Sequence, residues 1–287
     1  MKTVFWAALL TAASTLPVLG QESSFQITGS VGTWSNQDGG SNIISNEGIN
    51  GENSRTQGDI SLGYARTFGN FTGVGTLHYG AISVADPTDD FDADEEDATK
   101  YVADITLRGL MSRGDMTFGV FLGSGRQDDY GDADEDMTYE YAGLEFSKDL
   151  TWGNYYTQVG YVNGEDQYDE SLQDATFVNV GTQYDLQNGF ALTGAVGVAQ
   201  GDTDSDPTDD TTVLDVTIGA ERDFGNYVGF VELQQQQIYY EDGADNYGDT
   251  FTSFSVGVTM TFGGDVSHGT PLPDLGRWVA YNANEIE

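Results

Sequence analysis

The chain contains no cysteine. That excludes thiolate metal sites and thiol nucleophiles, while leaving open an oxidising compartment where disulfides are merely permitted. It has only two histidines, His78 and His268, and neither sits in a zinc pattern such as H-E-x-x-H. Positive charge is scarce as well: 10 Lys and Arg stand against 47 Asp and Glu, for a net charge of -37. Such a surface repels nucleic acid and anionic membrane faces and attracts cations. Beyond residue 20 no apolar run reaches the roughly 18 residues that a spanning helix requires, so any membrane crossing has to be made by strands.

What the chain has in abundance is alternation. Runs of about ten residues place apolar side chains on one face and Gly, Ser, Thr or charged residues on the other, the period-two signature of strands. Along 101–109, Tyr101, Ala103, Ile105, Leu107 and Gly109 oppose Val102, Asp104, Thr106 and Arg108. Along 212–221, Leu214, Val216, Ile218 and Ala220 oppose Asp215, Thr217, Gly219 and Glu221. Along 253–262, Phe254, Val256, Val258, Met260 and Phe262 oppose serines, threonines and a glycine. Twelve such strands are expected, with ten or fourteen as alternatives.

Short connections at 66–71, 112–115, 147–154, 185–189 and 222–226 carry Gly or Asn, the residues that most readily supply the positive φ of a tight hairpin. Between them fall longer, mostly acidic connections at 35–55, 84–98, 126–136, 164–172, 201–210 and 241–247. Short turns alternating with long loops put all the turns at one end of a closed barrel and all the loops at the other. Aromatics gather beside the turns (Phe68, Phe71, Phe146, Trp152, Tyr184, Phe224, Tyr227). A second set lies near the loops (Trp34, Tyr79, Tyr101, Tyr161, Tyr239, Phe251). Two aromatic belts one strand length apart are expected where rings meet the two water interfaces of a bilayer. The fold class expected is therefore all-β, a closed antiparallel transmembrane β-barrel. Small residues on the polar faces imply an open lumen. A soluble β protein with the apolar faces turned inward is the competing architecture.

Residues 24–262 resemble bacterial outer-membrane β-barrel proteins of the porin type. The resemblance rests on the hairpin pattern and on the last strand, 253–262, which alternates and ends in the aromatic Phe262. It implies that Phe262 is the assembly signal read by the barrel insertion machinery. The Phe-Gly-Asn turns look like those of acidic porins from alphaproteobacteria, and the size class is similar to monomeric narrow channels. Members end at the terminal aromatic, whereas this chain continues to Glu287. Residues 263–287 are read as a periplasmic tail, with a lumen plug or a partner-docking peptide as the alternative; within it Asp274 is placed to N-cap a short helix carrying Leu275, Trp278 and Val279 on one face. At the other end, Lys2 followed by apolar 4–19, with Val18 and Gly20 before Gln21, reads as a signal peptide over 1–20.

Strand parity turns Asp59, His78, Lys100, Asp104, Arg108, Glu145, Asp215, Glu221 and Glu232 toward the lumen, a predominantly acidic pore lining that favours cations. The function expected is passive diffusion of small hydrophilic solutes, with no cofactor and no catalytic residue. His78 faces away from lipid, where an outer-membrane lipase would need it, and His268 has no evident partner. Lumen-facing Tyr141, Tyr156 and Phe230 are read either as stacking surfaces for solutes or as packing. The alternative from another class is a non-conducting surface barrel, its acidic loops making structural, adhesive or calcium-bridged contacts. Asp202, Asp204 and Asp206 match the first half of a D-x-D-x-D calcium loop, but Pro207 stands where Gly is needed. Weakly bound calcium is thus the only metal considered. Expected partners are outer-membrane lipid and lipopolysaccharide, the insertion machinery and small solutes, with oligomerisation open and no nucleic acid.

Overall fold

The computed structural model describes residues 22–38, 54–84, 99–130, 135–165, 172–202, 210–242, 245–264 and 266–279. The leader assignment at 1–20, most of the acidic loop residues, and Asp204 and Asp206 lie outside the described residues.

Twelve strands run up and down: β1 (Ser23–Asp38), β2 (Ser54–Phe68), β3 (Phe71–Val84), β4 (Thr99–Arg113), β5 (Met116–Tyr130), β6 (Glu135–Leu150), β7 (Gly153–Glu165), β8 (Gln173–Asp185), β9 (Phe190–Asp202), β10 (Asp210–Asp223), β11 (Tyr227–Asp242) and β12 (Asp245–Gly263). Every neighbour is antiparallel, and β1 pairs with β12 from Ser24–Gly263 to Asp38–Asp249, so the sheet closes on itself. Closure leaves no unpaired edge, which is what permits a sheet to sit in hydrocarbon.

The short turns form for the reason their residues suggest. Gly69 (φ 65°) and Gly114 (φ 66°) occupy the first central position of two-residue hairpins, where a left-handed conformation matches the twist of the strands. At the opposite end the strands outrun expectation. β5 and β6 continue to Tyr130 and from Glu135, and β11 and β12 approach to Asp242 and Asp245, so 126–136 and 241–247 are largely strand instead of loop. The cross-strand ladder simply extends past the point where polarity stops alternating.

Periodicity leaves the direction of the apolar face open, and the structure turns it outward: Val31 is 62% exposed, Ile105 45% and Phe254 49%, with comparable neighbours round the barrel. Phe68, Phe71, Trp152, Tyr184, Phe224 and Tyr227 ring the turn end; Tyr79, Tyr101, Tyr161 and Tyr239 ring the loop end. Phe251 does not join that second ring: it is 2% exposed and packs inside, sharing its parity with Ser253 and Ser255. The side chain of Trp34 lies outside the described residues. The run Gln234 to Gln237, awkward if read as a lipid-facing block, alternates instead, with Gln234 and Gln236 turned inward. A closed barrel of even strand number with an apolar outer band and aromatic girdles is the outer-membrane type, and the protein is an outer-membrane β-barrel.

Candidate functional site: the occupied lumen

The lumen is not open. Several inward glycines each receive an aromatic ring from the strand beside them: Gly123 takes Tyr141, Gly125 takes Tyr139, Gly181 takes Tyr156 and Gly257 takes Phe230, so closely that a Cβ at any of these glycines would collide with the ring. Tyr141, Tyr156 and Phe230 are therefore wall packing. The small residues that suggested an empty pore are the sockets of large ones.

The chain's own C-terminal segment also lies inside the lumen. After Gly263 (φ 100°) the backbone leaves β12 at the turn end and enters the barrel instead of trailing into the periplasm. Val266 packs on Ala65, Val74 and Leu110 near the turns. Further in, Thr270 accepts at its carbonyl from Arg108 Nη1 (2.5 Å) and donates from Oγ1 to Glu145 (2.6 Å), while Gln158 Nε2 donates to Thr270 Oγ1 (2.7 Å) and the Pro271 carbonyl (3.0 Å). The single helical turn α1 (Leu275–Val279) follows, and Asp274 caps it as expected, its Oδ1 accepting from Arg277 N at 3.1 Å. Leu275, Trp278 and Val279 are all buried, within a cluster that includes Phe121, Tyr139, Phe177 and Ile238. The Val279 carbonyl accepts from Leu172 N (3.1 Å) at the start of β8, so 264–279 traverses the lumen from the turn end to the loop end. The physical reason is complementarity: the segment brings an apolar face and hydrogen-bonding groups, Arg277 among them, to a wall that offers matching ones.

His268, which lacked an evident partner in sequence, stands with Nε2 2.7 Å from Ser24 Oγ, 244 residues away. Its Nδ1 is buried with no partner among the described residues.

The residues that strand parity turns inward make these contacts where they are described. His78 bridges two carboxylates, Nδ1 to Asp104 at 2.9 Å and Nε2 to Asp59 at 3.4 Å, and Asp59 also accepts from Ser30. Arg108 and Glu145 form an ion pair at 3.1 Å with side chains 8% and 3% exposed. Asp215 accepts from Gln234 Nε2 (2.6 Å), Trp278 Nε1 (3.1 Å) and Thr217 Oγ1 (3.2 Å). Glu221 and Glu232 share the inward parity of β10 and β11. The side chain of Lys100 lies outside the described residues. Asp202 ends β9 opposite Asp210 and Gln173, and no cluster of metal-ligating side chains occurs among the described residues. The amides Gln57, Gln158 and Asn179, and the tail residues that meet them, went unrecognised as site residues. The contacts of Gln57 and Gln158 with the tail join positions more than a hundred residues apart and leave no local pattern.

No protein-family model matches the chain, and the search of curated proteins finds no match. Among solved structures it is similar to the translocator domain of autotransporter NalP from Neisseria meningitidis, at 16% identity and TM-score 0.47, over 90% of this chain and 95% of that one. It is similar also to the Pseudomonas putida toluene transporter TodX, at 7% identity and TM-score 0.45, over 89% and 93%. A KdgM porin aligns at 9% identity and TM-score 0.44, over 81% and 99%. Each is a likeness of barrel shape, and the architecture itself rests on the ladder pairings above.

Proposed function

We propose that the barrel is an outer-membrane channel for passive diffusion of small hydrophilic solutes, preferring cations, and that residues 264–279 hold it closed in the state described. The observation that carries this reading is the nature of the plug's seat. Charged and amide side chains of the wall hydrogen-bond not only to one another but also to a segment whose covalent link to the barrel is residues 263–265 alone. A segment so attached is separable, and its departure leaves Asp59, Asp104, Glu145, Asp215, Glu221 and Glu232 facing the lumen against His78 and Arg108. Closely spaced carboxylates favour cations and disfavour anions. No cofactor or energy source enters, and Phe262, outward at the end of β12, is assigned to recognition by the insertion machinery.

The second reading is a non-conducting surface barrel, with acidic loops making adhesive or calcium-bridged contacts to lipopolysaccharide. Complete burial of Trp278 favours it, since a permanent stopper would be built this way. Single-channel conductance in a planar bilayer under a salt gradient separates the two. The full chain is expected to be mostly closed, and a chain lacking 264–287 to give steady cation-selective steps whose selectivity falls in Asp104→Asn and Glu232→Gln. Silence from a truncated barrel that still migrates as a heat-modifiable band would sink the channel reading in favour of the surface barrel.

A further inference from the structure

The seat of Arg277 and Trp278 is chemically richer than closure requires. Arg277 Nη2 donates to Gln57 Oε1 (3.1 Å) and Nη1 to Gln234 Oε1 (3.4 Å), and Asp59, Asp215 and Glu232 all lie within electrostatic reach of its charge. Beside it the indole stands edge-on to Phe177, ring centroids 6.0 Å apart. It lies over Gly197, where a Cβ would come within 2.5 Å of the ring, and its Nε1 donates to Asp215. A Gly platform, an aromatic edge and a carboxylate together receive one flat ring bearing a donor; two amide oxygens and surrounding negative charge receive one cation next to it.

A second observation is independent of the tail's own contacts. Gln236, two residues from Gln234 on the same inward face of β11, is 2% exposed, and neither its amide oxygen nor its amide nitrogen has a partner among the described residues. Buried primary amides are ordinarily satisfied because leaving them unpaired is costly. Here the wall carries hydrogen-bonding capacity that Arg277 and Trp278 do not use.

We propose that this seat is a binding site for a small organic cation carrying a planar aromatic group, and that Arg277 and Trp278 occupy it as a built-in competitor. The proposal rests on the channel reading and names the solute class for it. An ammonium or guanidinium a few bonds from an aromatic ring reproduces both halves of the tail's contact. An anion with the same ring meets three carboxylates instead, and is rejected by charge.

The test uses the full-length chain refolded in detergent micelles and reads binding, not current. The double variant Arg277→Gln, Trp278→Ala vacates the seat. By calorimetry, tryptamine is expected to bind this variant at least about tenfold tighter than the unmodified chain, and Asp215→Asn in the same background to weaken it about tenfold. Indole-3-propionate, the same ring with the opposite charge, is expected not to bind. In the unmodified chain, millimolar tryptamine should speed amide exchange across 266–279 while β12 stays protected. Equal affinity for the two indoles, indifference to Asp215→Asn, or no binding to a vacated seat in a heat-modifiable barrel overturns the proposal. Should the double variant not fold, unchanged exchange in the unmodified chain overturns it. Tryptamine binding to a barrel that stays silent in bilayers defeats the channel reading alone, and a conducting barrel indifferent to both indoles defeats the site alone.

Discussion

Tyr141 and Tyr156 owe their places to what is missing opposite them: each ring lies where the side chain of Gly123 or Gly181 would otherwise be. Adding a methyl there cannot be absorbed by a rotamer change, because the colliding atoms belong to a ring already buried against the wall. Gly123→Ala or Gly181→Ala is therefore expected to lose about 1–3 kcal/mol of barrel stability through overpacking. Gly73→Ala, on the outer face with nothing within 4 Å of the new carbon, is expected to be close to neutral. Unfolding midpoints in guanidinium, taken in the same detergent, check both; equal losses at the two kinds of site would refute the socket account. Trp278 makes the complementary case. Deleting the indole leaves a void bounded by Phe177 and Gly197 and strips a donor from Asp215, so Trp278→Ala is expected to cost the docked tail about 3–5 kcal/mol. Amide exchange over 266–279, compared with exchange over the strands, measures that loss separately from the stability of the barrel.

The C-terminal segment is the element whose behaviour depends on pH. Docked, the His268 imidazole is held below its ordinary range, first by burial and second by the charge of Arg108. The docked state thus binds fewer protons than the released one, so docking has its full strength above the ordinary histidine pKa of about 6.5 and weakens as pH falls through it. Geometry agrees: a second N–H at Nδ1 would have no acceptor among the described residues. The protection factor over the tail, with exchange corrected for its slower intrinsic rate in acid, is expected to fall on acidification below that point, and His268→Gln to flatten the response; an unchanged acid response in the variant would assign it to the lumen carboxylates. The strands were legible in sequence because each obeys a local rule. Ile105 and Leu107 alternate with Asp104 and Arg108, and Gly69 and Gly114 stand where positive φ is needed. Parity alone was enough to turn Asp59, His78 and Glu232 inward. Docking of the tail was legible only as the alternative to a periplasmic tail, because its seat depends on Gln57 and Gln158 meeting residues 220 and 112 positions away and Gln234 one 43 away. Only the apolar face of α1, with Asp274 before it, was written locally.

At the scale of the whole molecule, the barrel and its tail pose one question of connectivity: whether solute passes beside 264–279 or only after it leaves. The segment touches the wall at every level described, from Val266 near the turns to Val279 at the loop end, and hydrogen-bonds across the middle through Thr270. Passage beside it along the β4, β6 and β10 walls would have to break the Arg108–Glu145–Thr270 cluster or the Trp278 seat. Both are buried, and disrupting buried charge pairs is costly. Closure is therefore expected to be all-or-none. The absence of native cysteine makes this directly testable, because a pair introduced by Leu172→Cys and Val279→Cys, whose backbones already share a hydrogen bond, would be the only thiols present. Oxidation should lock the far end of the tail to the start of β8 and abolish current. Reduction in the same bilayer should restore the openings seen with the unmodified chain. Current that persists through the oxidised form, with the cross-link verified by mass, would mean that solute moves alongside a docked tail, and closure by 264–279 would have to be abandoned.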